Sequence, residues 1–473
     1  MNNLNFLVDV LKESPVFKTL EKNVKPGRTV CASGLSTINK SNIIYALCRL
    51  KGVTAFCLAS DEKEAQTLCN DLSCMGLRAY VYPVRDFNFL DFQSRSHEYE
   101  HARLKVLLKL LNHECDVAIA CVDAAAQLTV PRNVLEQSVI EFEEGKELSL
   151  EKATKALTLL GYERFDAVEG SGQFSLRGGI LDFFMPDSDY PVRCEFWGDE
   201  ITDLSYFDIE TQRRFKKADK ITLSPSTEIV IEDRAALADK IEHKAKLLRS
   251  KNSAKAKEKL FSEAELIRSG AMIANADKFI NQIYDNPESL FDYLDRNTLV
   301  FASEFTAIQE RGKSMDFISN ETLMQGFEDG TLCRGFDRFA LTFNECTEFL
   351  QSHGTIVLEN FVHGSMPIKL SEIISFSTKQ LSAWGGSYKQ LKEDVDGLFT
   401  PESKGVIFAG TERAAKNLCD TFNADGINAV YSEGADKISK GELLVMQGAL
   451  SAGFEYPSQK FFAITYSQVS YRP

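Results

Sequence analysis

Two stretches of this chain carry side chains at spacings that can do chemistry. The first is Gly34-Leu-Ser-Thr-Ile-Asn39-Lys40-Ser41, which follows a β-rich run and opens a helical one. That is the setting of a phosphate-binding loop. Backbone amides and the helix N-terminus hold the phosphates, a lysine adds charge, and a hydroxyl takes magnesium. Gly34, Lys40 and Ser41 are the candidate nucleotide contacts. Asn39, however, stands where such loops carry a second glycine, at a position whose backbone often needs positive φ. A working site also needs a carboxylate pair at the end of a neighbouring strand, and Leu299-Val-Phe-Ala-Ser303-Glu304 lacks the aspartate. The loop therefore reads as degenerate, with no catalytic residue and no cofactor of its own. The competing reading is an ATP-dependent helicase-like enzyme, with Lys40 and Ser41 on the phosphates and Glu304 activating water.

The second stretch is Arg177-Gly-Gly-Ile-Leu-Asp182-Phe-Phe-Met-Pro186, then Pro191-Val-Arg193-Cys-Glu195-Phe-Trp197-Gly-Asp199-Glu200-Ile201, Phe207-Asp208 and Thr211-Gln212-Arg213. Strand alternation puts Val192, Cys194 and Phe196 on the core side, and Arg193, Glu195 and Trp197 outside. Tryptophan and arginine are the commonest interface anchors, and Arg177 is expected to lie beside this face, so it reads as a partner site. A plainer reading fits equally: Arg193 pairs with Glu195 or Glu200, and Trp197 covers a small apolar patch.

Metal and disulfide chemistry are disfavoured. Eleven cysteines form no CxxC pair, His97 and His101 have no thiol nearby, and Cys31, Cys48, Cys57 and Cys194 sit in apolar runs. Buried free thiols of a cytoplasmic protein account for them.

The elements that position these residues follow from periodicity. Apolar runs at 28–33, 54–59, 79–82 and 116–122 alternate with helical segments, the pattern of a parallel α/β sheet. After Pro131 closely spaced strands at 139–142, 180–184, 192–197, 201–208 and 218–223 imply a twisted antiparallel sheet, with a helix at 149–160. Strand-like 298–302 and 355–358 return to the first sheet, which makes the antiparallel unit an insertion. The fold class is multidomain α/β. A helicase-like domain (1–129 and 225–375) is interrupted by an α+β insertion (130–224), then followed by a linker (376–399) and a small α/β unit (400–473). The basic segment at 234–282 reads as a solvated amphipathic helix rather than a DNA-binding one.

Length and charge set the bounds. The 473 residues suffice for about three domains, and 44% apolar with 26% charged residues is ordinary globular usage. A net charge of −14 argues against a protein whose main task is gripping phosphates. The N-terminus is not a secretory signal, and no apolar run is long enough to span a membrane.

The set RGGILDFFMP…YPVRCEFWGDEI…FD…TQR resembles the N-terminal part of the bacterial transcription-repair coupling factors (Mfd), a region similar to the excision-repair subunit UvrB. Tyr82-Pro83, Asp86, Leu90-Asp91, Arg103-Leu104, Gly161-Tyr162 and Leu223-Ser-Pro225 support the likeness. It implies a UvrB-like insertion that docks on UvrA, with Arg177, Arg193 and Trp197 as the contacts. Trp197 replaces the family's usual phenylalanine. Tyr82–Arg103 leaves no room for UvrB's DNA-probing hairpin, which favours the coupling factor over UvrB. The same resemblance implies that the chain is an N-terminal fragment and that its first domain has lost nucleotide binding. RNA polymerase and double-stranded DNA would be engaged through absent regions, where ATP and magnesium serve a translocase motor.

Overall fold

A computed structural model describes residues 3–85, 97–137, 140–249, 253–270, 276–361 and 366–466. Asp86, Leu90 and Asp91, and the first residue of the strand expected at 139–142, lie outside the described residues. The architecture is multidomain α/β, organised around three larger sheets.

The first sheet has seven parallel strands, in the spatial order Glu372–Ser375, Val30–Ser33, Thr355–Leu358, Leu299–Ser303, Ala55–Ala59, Val117–Cys121 and Ala79–Tyr82. Its faces alternate as period-two geometry requires. Val30, Ala32, Ala55, Cys57, Val117 and Ile119 enter one core, while Cys31, Phe56, Leu58, Ala118 and Ala120 enter the other. All eleven cysteines are free thiols, and nine of them are buried.

The chain leaves this sheet after Val117–Cys121 and returns to it at Leu299–Ser303. Between them lies a six-stranded sheet ordered Arg214–Lys217, Glu200–Phe207, Val192–Trp197, Ile180–Phe183, Gln173–Arg177 and Glu163–Arg164, antiparallel except for its last pair. Gln173–Arg177 and Arg214–Lys217 are strands that the periodicity did not show, because each is bounded by polar residues and Arg214–Lys217 is exposed throughout. Two helices, Arg234–Leu247 and Ser253–Arg268, then pack on one another through Leu237, Ile241, Leu260 and Ile267. Their basic residues face outward, where Lys246 and Arg268 pair with Glu242, and Lys240 pairs with Asp285.

The third sheet runs Lys379–Leu381, Gly453–Tyr456, Phe461–Thr465, Lys404–Phe408, Glu442–Met446 and Ala429–Tyr431. Two sequence expectations change here. Residues 376–399, read as a linker, supply an edge strand of this sheet and the helix Tyr388–Leu398. The small unit at 400–473 is also not separate. Val406, Phe408, Leu444, Met446 and Phe461 share one core with Val30, Ile43 and Leu47 of the first domain. The helix Thr37–Lys51 therefore lies between two sheets, and every residue from Ile38 to Cys48 is buried.

The insertion is fastened by charge. Arg103 and Glu228 are both fully buried, with Arg103 Nε donating to Glu228 Oε1 at 2.6 Å. Arg103 also donates to Gln127 Oε1 (2.8 Å) and to the Pro83 carbonyl (3.1 Å), and its guanidinium lies 4.2 Å from the centre of the Tyr82 ring. Glu228 accepts from Thr129 Oγ1 at 2.8 Å, and Glu100 accepts from the Glu228 backbone N–H at 2.8 Å. The chain entering the insertion (127–131) and the chain leaving it (224–230) are thereby held on one helix, Glu98–Leu111. Glu228→Ala leaves the Arg103 charge buried and unpaired, so it is expected to cost about 3–5 kcal/mol. The midpoint of urea unfolding, followed by circular dichroism, should fall accordingly, and an unchanged midpoint would show that the pair is not holding the junction.

Candidate functional site

The second sequence stretch forms the end of the six-stranded sheet. Arg177-Gly178-Gly179-Ile180 and Trp197-Gly198-Asp199-Glu200 are two-residue hairpin turns, with Gly178 at φ 62° and Gly198 at φ 64°. Ile180 pairs with both Arg177 and Glu195, so the two turns sit side by side at the same end. Gly179 is required there, because a Cβ would come within 2.7 Å of the Phe196 carbonyl.

The strand alternation is as expected: Val192, Cys194 and Phe196 pack inward, while Arg193, Glu195 and Trp197 face out. Trp197 is 82% exposed. The centre of the face is a residue the sequence reading did not single out. Asp182, directly opposite Arg193 in register, is 1% exposed and accepts from both arginines. Arg193 Nε and NH2 donate to its two oxygens at 2.7 and 2.8 Å, and Arg177 NH2 donates to Oδ2 at 2.8 Å. The signal was available, since Asp182 is the one charged residue inside ILDFF and pairing places it on the outer face.

The two arginines differ. Arg193 is largely covered: it also donates to the carbonyl and side-chain oxygens of Gln212 and stacks 4.3 Å from the Phe207 ring centre. Its partner is thus Asp182 rather than Glu195 or Glu200, and Glu195 is held by Arg214. Arg177 makes one such bond and is half exposed. The result is a positive, half-open arginine and an uncovered indole at two hairpin turns on the same end of the sheet.

The loop at Gly34–Ser41 lies elsewhere, at the carboxyl edge of the parallel sheet, and it is occupied by the protein itself. Gly34 has φ 79°, and a Cβ there would meet the Phe376 carbonyl at 2.2 Å; the Gly34 carbonyl accepts from Thr378 Oγ1 at 2.7 Å. Lys40 is buried, with Nζ donating to Glu304 Oε1 at 2.5 Å, Ser303 Oγ at 2.9 Å and Glu64 Oε1 at 3.2 Å. Ser41 Oγ donates towards the buried Asp71 at 3.3 Å, and Asp71 also accepts from the Ser451 backbone N–H and hydroxyl, both at 2.7 Å. Asn39 and Asn42 reach Tyr456 OH at 3.4 and 3.1 Å. Asn39 is therefore a helical residue bonded to the third sheet, not one forced to positive φ. Positive φ falls instead on Glu304, at 56°. Among the described residues no group of three or more His, Cys, Asp or Glu is placed to hold a metal, and no helix is long and apolar enough to cross a membrane.

Two carboxyls in this junction are displaced. Burial pushes Asp71 up to about 6, against the bonds from Ser451 and Ser41. Burial, reinforced by the charge of Glu304, pushes Glu359 up to about 7. Both hold a proton to higher pH in the folded chain than in the unfolded one. Between about pH 4 and 7 the folded state thus binds more protons, and their contribution to stability falls as pH rises. Glu359→Gln keeps an acceptor for the Phe305 N–H, which Glu359 Oε1 meets at 2.8 Å. Its melting temperature relative to the parent should rise on the order of 3 °C from acid to alkaline pH, and parallel profiles would refute the assignment.

The UvrB interaction domain matches residues 140–229, the span of the six-stranded sheet and its flanks. The transcription-repair-coupling factor of Bacillus subtilis (strain 168) is 26% identical over 469 residues, which cover 96% of this chain and 39% of that protein. The transcription-repair-coupling factor of Staphylococcus epidermidis (strain RP62A) is 25% identical over 82% of this chain and 33% of its own length. That of Staphylococcus aureus (strain MRSA252) is 22% identical over 98% of the chain and 40% of its own. The chain spans about two fifths or less of the length of these curated relatives. The resemblance carried by the RGGILDFFMP set thus extends along nearly the whole chain, which is similar to transcription-repair-coupling factors and carries a UvrB interaction domain.

Proposed function

We propose that this chain is the UvrA-recruiting module of a transcription-repair coupling factor, a non-catalytic part that brings UvrA to RNA polymerase stalled during nucleotide excision repair. The observation that carries the reading is an 82% exposed Trp197 at the same end of the sheet as a half-exposed Arg177, which leans on a carboxylate that Arg193 has already fixed. Trp197 fills an apolar pocket on the partner. Arg177 supplies charged hydrogen bonds, and Arg193 contributes by keeping Asp182 and the strand ends in place. Polymerase, duplex DNA, ATP and magnesium belong, in this reading, to the parts of such factors that the chain does not span.

Truncating Arg177 or Trp197 to alanine is expected to weaken UvrA binding by about 2–5 kcal/mol while leaving the melting temperature within a degree or two. Arg193→Ala should lose both affinity and stability, since it leaves the buried Asp182 with one partner. Surface plasmon resonance against UvrA reads the first quantity and calorimetry the second. Arg177→Ala and Trp197→Ala proteins that bind as tightly as the parent would sink the proposal.

The ATP-using alternative finds no support at the loop, where the ammonium that would meet phosphate is shared by Glu64 and Glu304. Lys40→Met should destabilise the fold by about 3 kcal/mol, by leaving those carboxylates without their cation. It should leave unchanged any affinity of the chain for labelled ATP with magnesium. Loss of such affinity in a folded Lys40→Met protein would restore the enzyme reading.

A further inference from the structure

The parallel sheet has a second edge. At its amino ends, where Arg28, Gly354, Thr298 and Val53 lead into four adjacent strands, lies a cavity of about 230 Å3. Its floor is apolar, from Val53, Leu299, Val300 and Ile356. Its other side chains include five basic ones, Lys25, Arg28, Lys51, Arg296 and His353, and none of the fourteen lining residues is a carboxylate. In a chain with 68 acidic and 54 Lys or Arg residues, that one-sided lining calls for a cause.

Part of it is structural. The helices Thr37–Lys51 and Phe343–His353 end here, and each C-terminus carries about half a negative charge, which Lys51 and His353 complement. His353 is further held by a 2.8 Å contact from Nε2 to the Thr298 carbonyl. Arg28 reaches Glu372 at 3.4 Å. These partners offset about two positive charges and leave Lys25 and Arg296, which make no ion pair among the described residues. In addition, the Nε–H of Arg28 is buried without a hydrogen-bond partner. A second cavity of about 460 Å3 shares Val53, Asn297 and Thr298 with the first; of its two carboxylates, Asp116 is held by Arg78 and Asp295 by Arg132. The space can therefore extend beyond a single anion.

We infer that this cavity is a binding site for a small organic phosphate, with its phosphate on Arg28, Lys51 and Arg296 and its apolar moiety on Val53, Leu299 and Ile356. The site lies at the opposite end of the strands from the sealed Gly34–Ser41 loop and is independent of UvrA docking. A concave pocket with an apolar floor suits a compact ligand better than a nucleic-acid backbone, which needs an open basic track.

The test is calorimetric titration of the full 473-residue chain with AMP, adenosine and inorganic phosphate. AMP should bind saturably and at least about tenfold more tightly than adenosine or phosphate alone. The double charge reversal Lys51→Glu with Arg296→Glu, both at exposed positions, should weaken AMP at least about tenfold. The reversed protein should stay folded, melting somewhat lower because Lys51→Glu sets a negative charge against the helix C-terminus, with its circular dichroism spectrum unchanged, and Lys40→Met should bind AMP as the parent does. Three results would overturn the inference: no saturation at millimolar AMP, equal affinity for adenosine, or AMP binding untouched by the reversal. Affinity confined to a single-stranded oligonucleotide would also overturn it, by replacing the pocket with a nucleic-acid surface.

Discussion

The contact on which the arrangement depends is the buried pair of Arg103 and Glu228. A charge withdrawn from water is costly unless its partners are complete, and here they are complete on both sides. Arg103 is satisfied by Glu228, Gln127 and the Pro83 carbonyl, and Glu228 by Arg103, Thr129 and a helix that also receives its backbone. Because these partners come from the parallel domain and from both stems of the insertion, the charges are satisfied only when the two units meet in one orientation. Tyr162 adds to the same join, donating to the Ser224 carbonyl at 2.6 Å. Several residues that carry the family likeness, Tyr82, Pro83, Arg103 and Tyr162, are thus residues of the junction rather than of any binding face.

A similar enclosure of polar groups is found at the helix Thr37–Lys51. In a nucleotide-binding domain the first turn of such a helix must stay open to the phosphates. Here it is enclosed between two sheets, so each polar residue of Asn39-Lys40-Ser41-Asn42 meets a protein partner. The third sheet supplies Tyr456 and the loop before its strand Gly453–Tyr456 supplies Ser451, the strand end at 303–304 supplies the counter-charge, and the segment after Ser375 covers Gly34. A phosphate would have to displace two carboxylates from Lys40 and a backbone carbonyl from above the glycine. Packing energy that would otherwise be available to a ligand now joins the first and third units.

Much of this was legible in sequence, and the misses share a cause. The strands of the parallel sheet are continuous apolar runs because both faces are covered, and Val192–Trp197 alternates because one face is not. What sequence could not supply was the identity of partners. Arg193 had two nearby glutamates, yet it pairs with Asp182, brought opposite by strand register. Phe376–Leu398 looked like linker because its glycines and charges are dense, although Leu391 and Val395 are buried against the third sheet. Asn39 stands where a second glycine was expected, but its partner, Tyr456 more than four hundred residues away, is a tertiary fact.

Net charge was the least informative of the global numbers. A sum of −14 says nothing about which cations are already committed. Lys40, Arg103, Arg193 and Arg311 are each matched by internal carboxylates, so they contribute little field outside the fold. Trp197 is the converse case, an apolar side chain left uncommitted. Fully burying an aromatic of that size is favourable by on the order of 3 kcal/mol, so leaving it in water on a rigid hairpin end forgoes that stabilisation within the chain. A fold that matches these buried cations internally and still leaves an indole and a half-free guanidinium at one end of a sheet has kept binding energy uncommitted there. That surface is the end of the sheet where the turns after Arg177 and Trp197 lie.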